Sequence, residues 1–293
     1  SIFGVSCIGS RGMAGVLPED WLARRSGGLT LEQGIRDAGG DPARIAVEAR
    51  RDIAAFLELH IEQGPVLETD RLDIGVVTAI AGITRIEIIV EGRADHAGTT
   101  PMGSRADALA AAARLVTGVE ALAKSLTAGP GHFTATVGEF SIEPNAANVV
   151  PSRARLLIDA RAEERTAMDV FAASVERLAA EISRETGTAI ATPRRISDNM
   201  PTPGDPLLLD VLDAACGAAG ASHRRMASGA GHDTAFMAKV TRAAMIFVPC
   251  LGGRSHAPEE FAEIDDIALG AAVLLNAVIQ LDEKLQDVIQ EGV

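Results

Sequence analysis

The sequence has no Tyr, one Trp and eight Phe among 293 residues. A core built without large aromatics must rely on small aliphatic side chains packed closely. Cysteine is also scarce. Cys7, Cys216 and Cys250 lie far apart with no Cys-x-x-Cys pair, which argues against a zinc knuckle or a disulfide framework. Reduced thiols in a cytoplasmic protein are the simpler expectation. Positive charge is in the minority, with 27 Lys and Arg against 40 Asp and Glu and a formal net charge of −13. Phosphate would be repelled, so neither a nucleic acid nor an anionic membrane is an expected partner. A small anionic substrate remains open, because one local Arg can hold it. No stretch reads as long and apolar enough to span a bilayer, and no signal-peptide pattern begins the chain. Neither a dinucleotide fingerprint nor a P-loop is present.

What is there is a chain 47% hydrophobic, long enough for one large domain or two ordinary ones. Residues 1–20 read as strand or loop, and Thr30–Ala38 and Ala43–Arg50 as short helices split by Gly39-Gly40-Asp41-Pro42. Residues Ala55–Glu62 alternate: Leu57, Leu59 and Ile61 share one face, and Glu58, His60 and Glu62 share the other. Gly64-Pro65 stops that strand, and a helix begins near Val66. After Gly82 the texture changes. A strand at Thr84–Val90, a helix at Arg105–Ser125, strands at His132–Phe140 and Ala154–Ala160, a helix at Thr166–Thr186 and a strand at Thr188–Ile196 follow in order. That is the β-α-β-β-α-β series of a ferredoxin-like domain. Residues 83–197 are therefore expected to form an inserted α+β domain, with 1–82 and 198–293 as the two parts of a larger α/β domain. In the second part, Leu207–Ala219 reads as a helix, Gly229-Ala230-Gly231 as a turn feeding a helix at Asp233–Ala238, Ala243–Val248 as a buried parallel-type strand, and Ile264–Gln286 as a closing helix.

Two histidines stand at strand ends, His60 in Glu58-Leu59-His60-Ile61-Glu62-Gln63-Gly64-Pro65 and His256 in Arg254-Ser255-His256-Ala257-Pro258. Loops at strand ends are where α/β proteins place chemistry. A metal site assembled from several strand ends would unite the two, although either alone also reads as a hydrogen-bonding or surface group. His96, in Asp95-His96-Ala97-Gly98-Thr99-Thr100-Pro101-Met102, is by itself a capping-turn histidine or a donor to a developing oxyanion. Asn148 and Arg161 could bind a carboxylate from neighbouring strands, or Arg161 could simply pair with Asp159 on the surface. In Ser228-Gly229-Ala230-Gly231-His232-Asp233 the backbone before a helix could face an anion. His132 and His223 read as structural.

These segments, in this order, resemble the hydantoinase/carbamoylase family of amidohydrolases, relatives of dinuclear metallo-aminopeptidases. The resemblance spans essentially the whole chain. It implies a metallopeptidase-like mixed sheet flanked by helices, carrying an inserted ferredoxin-like lid and dimerisation domain. It implies hydrolysis of the ureido C–N bond of N-carbamoyl-L-amino acids or, alternatively, of allantoate. His60 would be a ligand of one divalent ion and His256 of another, the pair of ions being Zn, Mn, Co or Ni. Gln63, Asn148, Arg161 and backbone near Gly231 would hold the substrate. His96 would stabilise the tetrahedral intermediate in a partner subunit's site, so that a homodimer through 83–197 is expected.

The family also supplies another His, a bridging Asp and a Glu-Glu pair upstream. Ser1-Ile2-Phe3-Gly4 aligns just after that pair, so the chain reads as N-terminally incomplete. The expectation is then little turnover from the chain by itself. The alternative is a catalytically silent homologue that binds carboxylates or only dimerises.

Overall fold

The computed structural model describes residues 2–45, 49–129 and 131–291, with side chains to 284. The chain divides into two compact units, Ser1–Ile80 with Thr202–Val293, and Ala81–Pro201.

In chain order the first unit opens with α1 (Ile8–Met13) and α2 (Leu31–Asp37), then β1 (Ala55–Ile61), α3 (Val66–Asp70) and β2 (Ile74–Ile80). The inserted unit holds β3 (Gly82–Glu91), α4 (Ala108–Thr127), β4 (Phe133–Glu143), β5 (Arg153–Ala162), α5 (Arg165–Thr186) and β6 (Arg194–Asp198). The chain returns through α6 (Pro206–Ala218), β7 (His223–Ser228), α7 (Thr234–Met237), β8 (Arg242–Val248) and α8 (Ile264–Glu291).

The first unit is built on a mixed sheet in the order β2-β8-β1, with β7 also paired to β2. β8 runs parallel to β1 and antiparallel to β2, while β7 runs parallel to β2. The alternation of β1 sorts its residues between two environments. Leu57, Leu59 and Ile61 pack with Ile246, Val248, Leu208, Leu212 and Val273 under α6 and α8. Glu58 and His60, paired in register with Met245 and Phe247, take the opposite face. Gly270 of α8 permits this packing. A Cβ there would lie 2.7 Å from methyl groups of both Leu59 and Val248, so even an alanine would force those side chains or the helix to shift. Asp205 caps α6, its carboxylate accepting from the backbone N–H of Leu207 and Leu208. Among the described residues, no strand pairs with the outer edge of β1.

The inserted unit has an antiparallel sheet in which β5 lies between β3 and β4, with β6 and the short strand Ala189–Ile190 both on the far side of β3. α4 and α5 cover one face. Strict alternation on β5 buries Ala154, Leu156, Ile158, Ala160 and Ala162 while Arg153, Arg155, Asp159 and Arg161 point the other way. Phe133 and Phe171 meet in that core with ring centroids 5.1 Å apart. The alanine face of α4 brings the two helices close, and a Cβ on Gly118 would lie 2.5 Å from Leu178.

Several expectations are corrected. Residues 8–13 are helical, where strand or loop was expected. β2 was not anticipated: its residues are buried on both sides except Thr78, so they show no alternation to read. β7 was missed because it carries charged residues. The single strand expected at Thr188–Ile196 is two short ones. The helix expected at Ala43–Arg50 is seen as Pro42–Ile45, and residues 46–48 lie outside the described residues. The segment Ile264–Lys284 is long and apolar enough, by length and composition, to cross a membrane, against the expectation that no stretch is. Isolated Asp, Asn and Gln interrupt the run to the eye but barely change its average. The helix packs Val273, Ala277 and Leu281 into the core and leaves Leu275, Val278 and Ile279 exposed.

Candidate active site

The polar face of β1 meets the turn between β7 and α7. Ring centroids of His60 and His232 lie 4.7 Å apart at a 72° edge-to-face angle. Ligating atoms of Glu58, His60 and His232 lie within 4.8 Å of one another. Each of these side chains is anchored through one atom and offers the other. His60 Nδ1 lies 2.9 Å from the Ile61 carbonyl. Only an N–H can satisfy a carbonyl, so Nε2 carries the lone pair. Glu58 Oε2 accepts from Thr234 N–H (2.8 Å) and Oγ1–H (2.5 Å), leaving Oε1 4.0 Å from His232 Nδ1. His232 Nε2 bonds Ser228 Oγ at 2.7 Å. Burial, with the neighbouring His60, lowers the His232 pKa to about 4, so its ring is neutral near pH 7. Second partners that fix tautomer and orientation are typical of metal-binding imidazoles. Two imidazoles and a carboxylate are a donor set that a divalent transition ion accepts.

The wall behind the turn is also held. Ser10 Oγ of α1 donates to Asp233 Oδ1 at 2.5 Å. Arg11 lies between the rings of Phe236 and Trp21, 3.9 and 4.8 Å from their centroids. Glu62, the third member of the polar face, is buried and caps α3 through Val66 N–H and Leu67 N–H. Its role is to start that helix, close to its positive end.

The parallel pairing of β1 and β8 sends both following loops off the same end of the sheet. Gln63 Nε2 donates to Ser255 Oγ (2.7 Å), and Ser255 Oγ donates to Glu260 Oε2 (2.8 Å). His256 is exposed, and its backbone N–H also donates to Glu260 Oε2, at 3.0 Å. Glu260 is held below the usual carboxylate range, first by the Ser255 hydroxyl and the His256 N–H, then by the His256 and His60 rings. Gly231 is exposed in the turn beside His232.

In the inserted unit, Asp95-His96 pairs with Val149-Val150, and Ala97 N–H donates to the Asn148 carbonyl at 3.0 Å. This sets His96 beside Asn148. Gly98 N–H donates to His96 Nδ1 at 3.0 Å, so Nε2 bears the ring proton of the neutral form and is the outward donor. Arg161 bonds Asp159 through Nε at 2.8 Å. From Arg153 to Arg161 strand β5 rises about 26 Å, at roughly 3.3 Å per residue. His96 and Asn148 lie beyond its Arg153 end. One copy of the chain therefore does not bring Asn148 and Arg161 to the same carboxylate.

Sequence reasoning had not singled out Glu58, Ser228, Thr234 or Glu260, and had named His232 only within the turn Ser228–Asp233. The polar face of β1 was the readable signal for Glu58. The others carry no local pattern.

The profile of peptidase family M20/M25/M40 matches residues 5–280. The chain belongs to this family. It is 36% identical over 285 residues to an N-carbamoyl-L-amino-acid amidohydrolase of Paenarthrobacter aurescens, covering 96% of the chain and 68% of that protein. It is 36% identical to a ureidoglycolate hydrolase of Oryza sativa subsp. japonica, covering 95% of the chain and 59% of that protein. Among solved structures, a hydantoinase/carbamoylase family amidase from Burkholderia multivorans superposes with a TM-score of 0.83 at 35% identity, over 94% of the chain and 66% of that protein. The resemblance read from the motifs is thereby shown. So is the α/β class, a mixed sheet with flanking helices.

Proposed function

We propose that this M20-family chain serves metal-dependent hydrolysis of the ureido C–N bond of N-carbamoyl-L-amino acids, yielding the amino acid, ammonia and carbon dioxide. The observation that carries the reading is the donor set of Glu58, His60 and His232, each fixed by one atom and open at the other. Relatives matched along nearly the whole chain include several N-carbamoyl-L-amino-acid amidohydrolases, which supports this substrate class. His60 with Glu58 and His232 would hold one ion, and His256 would serve a second. Such an ion polarises a carbonyl oxygen and lowers the pKa of water. The chain's own residues do the rest. His232 stays neutral because it is buried. Thr234 keeps Glu58 turned toward the imidazoles. His96 Nε2–H is a donor for the oxyanion, and Arg161 is the cation for a substrate carboxylate.

Because His96 and Asn148 lie at one end of β5 and Arg161 at the other, a substrate touching all three draws them from two copies. This supports a homodimer through 83–197, with His96 and Asn148 supplied across the interface.

The test is ammonia release by the whole gene product, with Zn²⁺, Mn²⁺, Co²⁺ or Ni²⁺ and three substrates: an N-carbamoyl-L-amino acid, allantoate and ureidoglycolate. His96→Ala is expected to lower kcat by about 10²–10³ with metal content unchanged, the scale of losing one oxyanion donor. Loss of metal in that variant would mean that His96 is misassigned. Preference for allantoate or ureidoglycolate would overturn the substrate.

A further inference from the structure

Among the described residues, five that are not glycine have positive φ, and two of them are Gln63 (φ 58°) and His256 (φ 57°). The left-handed region costs energy for both, less for His than for Gln, so surrounding structure helps to hold them there. The two lie in the facing loops after β1 and β8, and one chain of hydrogen bonds joins them. Gln63 Nε2 donates to Ser255 Oγ, Ser255 Oγ donates to Glu260 Oε2, and His256 N–H donates to the same Glu260 oxygen. The loops also touch backbone to backbone. Gly253 has φ 64°, and a Cβ on it would lie 2.6 Å from Gly64 C and Pro65 N. Leu251 N–H closes the second loop on the Phe261 carbonyl at 2.9 Å. Gly252 N–H ties it to Glu68 of α3, also at 2.9 Å.

We propose that Glu260 is a positioning residue. Its carboxylate locks the left-handed backbone of His256 and, through Ser255, the side chain of Gln63, so that both loops present their functional groups as one preformed unit. The link to metal binding rests on the amidohydrolase reading; the latch itself does not. Both bonds end on a single oxygen. An amide oxygen can accept the same two bonds, without the charge assistance of a carboxylate, so the latch depends first on an acceptor at this position.

The experiment compares Glu260→Ala and Glu260→Gln in the chain as it stands. Three quantities are read: exchange of the His256 backbone amide by NMR, Zn²⁺ affinity by titration calorimetry, and the urea midpoint from Trp21 fluorescence. The expected result for Glu260→Ala is at least tenfold faster exchange at His256 and Zn²⁺ affinity lower by about 10-fold, the scale for losing a ligand's supporting partner. Its urea midpoint should stay unchanged, which separates positioning from global stability. Glu260→Gln should lie much closer to the wild type than to Glu260→Ala in all three. A Glu260→Ala variant with wild-type exchange at His256 overturns the latch, as does a Gln variant that behaves like Ala. If the wild-type chain binds no Zn²⁺ while the exchange results come out as expected, the latch stands and the metal reading falls.

Discussion

Replacing Ser228 by Ala probes the buried anchor of the candidate site. Ser228 is 2% exposed and His232 3%. The hydroxyl bonds His232 Nε2 at 2.7 Å, accepts Ala230 N–H at 3.1 Å and reaches the Ala230 carbonyl at 3.2 Å. Alanine removes all three. Ala230 is only half-buried, so water can replace its bonds. The His232 nitrogen is sealed from water and stays unpaired, at a cost of about 1–3 kcal/mol. The lost hydroxyl volume is smaller than a methylene pair and adds little. A destabilisation of about 2 kcal/mol follows. With a urea m-value of roughly 2 kcal/mol per molar, the midpoint should fall by about 1 M at constant m. The assay is unusually clean, because the sole Trp, Trp21, lies in the same unit as Ser228. Its fluorescence reports that unit even if the two units unfold separately. The measurement belongs in EDTA, so that metal binding does not contribute. An unchanged midpoint would show that His232 finds another partner and that the Ser228 bond does not order the turn.

Two further outcomes are expected. His232 has a folded pKa of about 4 against an ordinary 6.5. Between those values the unfolded chain binds a proton that the native state refuses, so stability is present above pH 6.5 and is lost as pH falls toward 4. The total is about 3 kcal/mol. His232→Asn in EDTA should lack that part of the pH dependence, and an identical slope would refute the assignment. In the inserted unit, Gly118→Leu drives a side chain into Leu178, 2.5 Å from the Cβ position. It should cost about 1–3 kcal/mol by overpacking, seen as an earlier thermal transition by circular dichroism with no change at Trp21. A transition at the wild-type temperature would show that α4 and α5 can separate freely.

Local pattern made a good part of this molecule legible. The alternation of β1 separated Leu57, Leu59 and Ile61 from Glu58 and His60 before any contact was known. The alternation of β5, with the amphipathic α4 and α5, laid out the β-α-β-β-α-β unit. Where pattern failed, the reason is physical. β2 is covered on both faces, so its sequence has no polar phase. β7 carries Arg224 and Arg225, whose charges pair with Asp70, Asp210 and Asp213 on other elements.

The sequence by itself determined which side chains share a face of each strand and helix, because backbone geometry repeats every two or 3.6 residues. It also placed the motifs that reveal the family. Only the tertiary structure decided which face meets which. Glu58 finds Thr234, His60 meets His232 edge to face, and Glu260 ties His256 to Gln63, because strand pairing folds distant segments together. No periodicity within one segment encodes a partner that lies in another.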